Sequence, residues 1–229
     1  MPASSETMET AKGMQEAPPR VEEKPEWWAS PATVGLMGFA LTTMLAGLSN
    51  LPYPYGVGFG LSPVVSGLSS NWTVYGMAIS FGGAAQFAAG LIALRKGNMF
   101  AGSAFIGYGS FWIAFTLMLN QPFVAGGLSQ GTAVFFGVAG FAFVWMMFTF
   151  AFLINAPKHG WGITGVFLLL FVAFILLVIK FFQMGGGATI SDGESWAVGG
   201  EIILTGALAW YVAMADLTNW NYGRKLLPV

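Results

Sequence analysis

The sequence predicts an all-α integral membrane protein of six transmembrane helices with both termini in the cytoplasm. Three observations carry that prediction. Of 229 residues, 55% are hydrophobic and only 8% are charged, whereas a soluble domain carries roughly a quarter of its residues as Asp, Glu, Lys or Arg. The charges are crowded: nine of the nineteen fall in the first 26 positions, and ten serve everything from Trp27 onward. The remainder divides into six apolar stretches of about the 20 residues that a bilayer core demands. This composition excludes a soluble enzyme, a nucleic-acid binder and a disordered scaffold.

Residues 1–29 read as a disordered acidic cytoplasmic tail, with Pro18, Pro19 and Pro25 among its Glu residues. The tail lacks the basic-then-apolar order of a secretory signal. The membrane domain occupies 30–219, with spans expected at Ala32–Leu51, Trp72–Leu94, Met99–Leu119, Gly131–Ile154, Gly160–Ile179 and Val198–Leu217. A cytoplasmic segment, 220–229, follows it. Helix one starts where Pro31 can sit in the first turn without a needed N–H, with Ser30 as its N-cap. Helices two and three are joined by Arg95-Lys96-Gly97-Asn98, and helices four and five by Asn155-Ala156-Pro157-Lys158-His159. Basic residues of short loops stay cytoplasmic, so Arg95, Lys96, Lys158, Arg224 and Lys225 orient the chain. The opposite loops Pro52–Asn71 and Asn120–Gln130 carry no charge, and the third holds Asp192 and Glu194. Lys180, at the end of helix five, reads as a snorkelling anchor.

Thirty-two glycines are about twice the usual share. In lipid, small residues let helix backbones approach, because apolar side chains gain nothing by leaving an apolar solvent. They recur at helical spacing: Gly38, Thr42 and Ala46; Gly82, Gln86 and Gly90; Ser103, Gly107, Ser110 and Ala114; Gly199, Gly206 and Ala213. Polar residues within the spans (Thr42, Thr43, Asn50, Gln86, Tyr108, Ser110, Glu201 and Asp216 among them) must face the bundle or a wet cavity, since an unpaired polar group in hydrocarbon costs several kcal/mol. The absence of Cys and the presence of one histidine, His159, exclude thiolate nucleophiles and multi-His metal sites. No span pairs carboxylates at i, i+4. A solute pathway is expected, with no cofactor, no metal site and no enzyme chemistry.

Separated segments resemble a known family. Ser30-Pro31-Ala32-Thr33-Val34-Gly35-Leu36-Met37-Gly38-Phe39 looks like the N-P-A-P-L-G-L-x-G-F signature of the acetate transporter family. That family is the succinate/acetate permease group of bacteria and archaea, with ammonia/acetate-outward homologues in yeasts. Gly82-Gly83-Ala84-Ala85-Gln86, the run from Arg95 to Asn98, and Phe105-Ile106-Gly107-Tyr108-Gly109-Ser110-Phe111-Trp112 resemble its helices two and three. Ala209-Trp210-Tyr211 and Tyr222-Gly223-Arg224-Lys225-Leu226-Leu227-Pro228 follow its closing pattern.

The resemblance implies a six-helix protomer assembled as a homo-hexamer in membrane lipid, with one conduction path per protomer. The solutes it implies are acetate and related short monocarboxylates, succinate among them, carried by a proton-coupled transporter or an anion channel. Its narrow point corresponds to Phe39, Tyr108 and Leu170, and Ala209 falls where side-chain size bears on solute selection. Gly35, Leu36 and Gly38 belong with Ser30 and Pro31 to the entry turn. Two positions depart from the signature: Ser30 replaces its Asn, and Thr33 its second Pro.

The residues support a physical reading beside the resemblance. The positive end of helix one favours a carboxylate at the cytoplasmic mouth. Phe39 and Tyr108 can strip water from a small solute, with the Tyr108 hydroxyl offered to its carboxylate. Thr42, Thr43, Asn50 and Ser110 are expected along the path. Gln86 reads either as an amide donor in it or as a hydrogen bond holding helix two to helix one. Glu201 reads either as a proton carrier coupling acetate to H⁺ or as a carboxylate snorkelling to the outer surface. Asp216, about 22 Å along helix six from Glu201, is expected to pair with Arg224 or Lys225. Two other functions remain open: a channel for urea, an amide or ammonia, and an assembly subunit whose glycines serve packing alone.

Overall fold

A computed structural model describes residues 29–52, 72–119, 132 and 134–229. The tail over 1–28, all but Pro52 of the loop to Asn71, and the loop Asn120–Gln130 lie outside the described residues. Helix α1 spans Ala32–Asn50. Helix α2 runs continuously through Trp72–Ile79, Ser80–Ala85 and Gln86–Arg95, its middle six residues wound as a π-helix. Helices α3, α4, α5 and α6 span Met99–Leu119, Val134–Leu153, Trp161–Gly185 and Asp192–Tyr222, with a 3-10 turn at Ala156–His159 between α4 and α5. All six are long and apolar enough to cross a membrane.

Two helices outrun the expected spans. Helix α5 continues past Ile179 to Gly185, and α6 begins at Asp192 rather than Val198. The early start of α6 has a local cause. Ser191 Oγ accepts the Glu194 N–H at 3.2 Å while Glu194 Oε2 accepts the Ser191 N–H at 2.8 Å, a capping box that satisfies two donors reciprocally. At 31 residues α6 is about 46 Å long, so its polar ends stand clear of a hydrocarbon layer of about 30 Å.

The helices close into a ring. Helix α1 packs on α6, α6 on α5, α5 on α4, α3 on α2, and α2 back on α1. Where small residues meet, backbones touch: a Cβ on Gly47 would lie 2.8 Å from the Gly199 carbonyl oxygen, and one on Gly206 2.8 Å from that of Ala40. The α3–α4 seam is built differently, with rings between the backbones. Phe111 meets Trp145 at a centroid distance of 5.2 Å, and the Phe148 ring lies over Gly107.

Two expectations at the helix ends are corrected. The Pro31 carbonyl accepts the first helical bond, from Gly35 N–H at 3.0 Å, so Pro31 is the N-cap rather than a first-turn residue. Ser30 stands one place before it, with Oγ accepting the Ala32 N–H at 3.2 Å. Asp216 does not pair with Arg224 or Lys225: its Oδ2 accepts from the Thr33 hydroxyl at 3.0 Å, tying α1 to α6. The threonine that departs from the signature proline thus supplies a donor that proline lacks. Beyond the Gly223 C-cap, in the left-handed conformation, the chain folds back. There Tyr211 donates to the Pro228 carbonyl at 2.9 Å, and Asn219 Oδ1 accepts from the N–H groups of Leu226 and Leu227.

Candidate solute pathway

Helices α1, α3 and α5 all enter from the end that carries Ser30, Asn98 and His159. Phe39 lies seven residues into α1, Tyr108 nine into α3 and Leu170 nine into α5, depths of about 10, 13 and 13 Å at 1.5 Å per residue. Similar depth on parallel helices brings the three into one layer, near the middle of a core about 30 Å thick. The Phe39 and Tyr108 ring centroids are 5.5 Å apart at an interplanar angle of 59°, and all three side chains are buried.

A cavity opens on each side of this layer. The first, of about 190 Å³, reaches from Asn98 and His159 to Gln86 and the three side chains. The second, of about 80 Å³, reaches from the same three to Asn50 and Phe181 at the far end. Phe39, Tyr108 and Leu170 are the residues common to both walls. Among the described residues, neither wall contains Asp, Glu, Lys or Arg. An apolar gap between two chambers gates by shedding water.

The Tyr108 hydroxyl does not face the gap as expected. It lies 2.9 Å from Thr149 Oγ1, and Thr149 spends its own proton on the Trp145 carbonyl at 2.8 Å. A hydroxyl has one proton to give, so Tyr108 is the donor in the shared bond and its proton points into α4. What Tyr108 offers the path is its ring face, held by Phe39, Phe148 and Phe167.

Gln86 follows the π turn of α2, is buried, and lines the first cavity; its Oε1 has no partner among the described residues. A single π turn displaces the helical register, and such turns gather at functional positions. Gly38 explains how α1 tolerates it: a Cβ there would stand 2.5 Å from the Phe81 carbonyl oxygen. Gly35 makes room in the same way for the Phe105 ring. Leu36 lines the first cavity, and Ser30 and Pro31 sit with Lys96 and Asn98 in a recess that shares Ala32, Asn98 and Ala101 with it.

Thr43 and Asn50 line the second cavity. Three residues expected on the path, and Glu201 with them, are not among the described residues lining either chamber. Thr42 is buried against Gly82, with its hydroxyl unpartnered. Ser110 turns back on its own helix, donating to the Ile106 carbonyl at 2.8 Å. Ala209 is fully buried in the core. Glu201 is half-buried with Oε1 unpartnered, while its neighbour Ile202 reaches the second cavity.

Sequence reasoning missed Thr149, which holds Tyr108, and His159, which lies at the first mouth stacked on Phe100 at 3.9 Å. It also missed Trp112 in the second wall. A signal existed for the α3 wall: Ala101, Ala104, Tyr108, Phe111 and Phe115 follow the three-and-four spacing of one helix face.

Six bilayer-length helices around two chambers that meet at an apolar gap define a multi-pass membrane transport protein. The chain belongs to the GPR1/FUN34/yaaH family, whose sequence profile matches residues 15–223. It is 36% identical over 202 residues to the succinate-acetate/proton symporter SatP of Escherichia coli strain K12, covering 88% of this chain and 95% of that one. It is 29% identical to acetate permease A of Emericella nidulans, over 88% of this chain and 66% of that one. Among solved structures, the bacterial acetate channel SatP superposes with a TM-score of 0.68 at 30% identity, covering 88% of this chain and 99% of that one.

Proposed function

We propose that this protein carries acetate and related short-chain monocarboxylates, succinate among them, across the membrane by way of its two cavities and the gap between them. The observation that carries the reading is the sharing of Phe39, Tyr108 and Leu170 by both cavity walls. A short carboxylate has an apolar end that such a gap accepts and a charged end that loses its water there, at a cost. Taking up a proton lowers that cost, and the reading gives the proton-carrying role to Glu201. The termini, with Arg95, Lys96, Lys158, Arg224 and Lys225, lie on the cytoplasmic side. The first cavity is therefore the inner vestibule and the second the outer one. Six copies assemble in lipid, each with its own path.

The relatives' names support the solute class. Uptake of labelled acetate into liposomes holding the purified protein, with succinate and urea as competitors, tests it. Acetate enters and succinate competes if the reading holds. Competition by urea alone would point to a neutral-solute channel. No acetate flux at any pH would refute transport of this class.

A further inference from the structure

Lys180 is the charge that the pathway leaves unexplained. It lies on α5 nineteen residues from Trp161, and Asn50 lies on α1 eighteen residues from Ala32, so both stand about 27–28 Å along their helices. Lys180 Nζ donates to Asn50 Oδ1 at 2.7 Å, and Asn50 lines the second cavity. The other end of the amide is fixed, because Nδ2 donates to the Ala46 carbonyl at 2.8 Å. This bond holds the half-buried ammonium across to α1, at the cavity's far mouth. A lysine that served only to snorkel would extend along its own helix toward headgroups.

Among the described residues Lys180 has no carboxylate partner. Glu194 is occupied by Ser191 and Gln183, Asp192 stands in the first turn of α6, and Glu201, beside Ile202 of this wall, leaves its Oε1 unpaired among the described residues rather than meeting Lys180. The segments 53–71 and 120–133 contain no Asp or Glu. An amide oxygen satisfies an ammonium proton without neutralising its charge, so a net positive charge remains at the mouth of an apolar chamber. Ionisable groups inside membrane spans are costly and are kept for use. Two further donors lie in the same wall: Thr43 Oγ1 and Trp112 Nε1 are buried without partners among the described residues.

We propose that Lys180, positioned by Asn50, forms a carboxylate-gathering site at the outer mouth of the second cavity. Resting on the transport reading above, this adds where an anionic solute is first captured. A carboxylate arriving from outside meets the ammonium before it meets the gap, and its local concentration rises there.

The test is initial uptake of labelled acetate from outside by cells lacking acetate carriers of their own, which express the full chain, at low and high salt. Lys180→Met raises the apparent KM about fivefold, the worth of one unit-charge contact in a water-like dielectric, and leaves it insensitive to salt. Uptake by the unsubstituted protein weakens as salt screens the charge. Lys180→Arg keeps the affinity. Asn50→Asp keeps the contact but cancels the charge, so a site acting by charge loses affinity there as well. An Asn50→Asp protein with unchanged KM and unchanged salt dependence overturns the proposal even if Lys180→Met fails to fold. Lack of acetate uptake by the unsubstituted protein refutes the transport reading itself, and the gathering site with it.

Discussion

Replacing Tyr108 by Phe separates the two things a tyrosine in the gap can do. The hydroxyl donates to Thr149 Oγ1 at 2.9 Å, while Thr149 keeps its own bond to the Trp145 carbonyl at 2.8 Å. Tyr108→Phe therefore removes one buried neutral hydrogen bond and leaves one acceptor lone pair on Thr149 unused. The net loss is about 1 kcal/mol of stability. The ring keeps its contacts with Phe39, Phe148 and Phe167, so the width of the gap is unchanged. Acetate uptake into liposomes is expected to stay within about twofold of the unsubstituted protein, because no contact to solute is lost. Unfolding in mixed micelles, followed by tryptophan fluorescence, gives the stability term separately. A fall in uptake of more than about tenfold, or 1.4 kcal/mol, with stability intact would show that the hydroxyl does meet the solute. The bond direction argued from Thr149 would then be wrong.

Three other substitutions probe the remaining parts of the path. Phe39→Ala removes a ring from the shared wall and is expected to admit longer carboxylates such as butyrate, at a cost of about 3 kcal/mol in stability; competition of butyrate against labelled acetate measures it. Gly38→Ala puts a methyl group 2.5 Å from the Phe81 carbonyl oxygen, so α1 and the π turn must part. Destabilisation of about 1–3 kcal/mol is expected, read from the same unfolding assay, together with lower uptake through displacement of Gln86. Glu201→Gln is expected to flatten the pH dependence of acetate uptake in proteoliposomes under an imposed proton gradient; an unchanged profile would remove Glu201 from proton coupling.

The helices were legible because the bilayer imposes a length and permits few charges. Met99–Leu119 is found where it was expected, and α1 begins at Ala32. The ends of α5 and α6 were not legible from hydropathy. They extend beyond the hydrocarbon, where the capping box at Ser191 and Glu194 sets the start of α6. Much of the site was harder to read for a related reason. In a soluble helix the apolar stripe marks the buried face, but α3 and α4 show almost no such stripe. The faces turned to lipid and to the chambers are then chemically alike. Polarity alone selected Thr42 and Ser110, which line neither chamber, as readily as Thr43 and Asn50, which do.

By itself the sequence determined the class of molecule and the number of spans, both set by local composition against a fixed solvent. The small-residue face it marked on α1, Gly38, Thr42 and Ala46, packs on α2, whereas α6 meets α1 at Ala40 and Gly47. The family resemblance singled out Phe39, Tyr108 and Leu170, but hydropathy had no means of showing that they share a layer. Only the tertiary structure decided that, by placing three parallel helices at matched depth. It also aimed the Tyr108 proton at Thr149, brought Thr33 to Asp216 and held Lys180 to Asn50. Those partners are 183 and 130 residues apart in the chain. Nothing local encodes such a meeting; it follows from which helices the glycines and rings allow to touch.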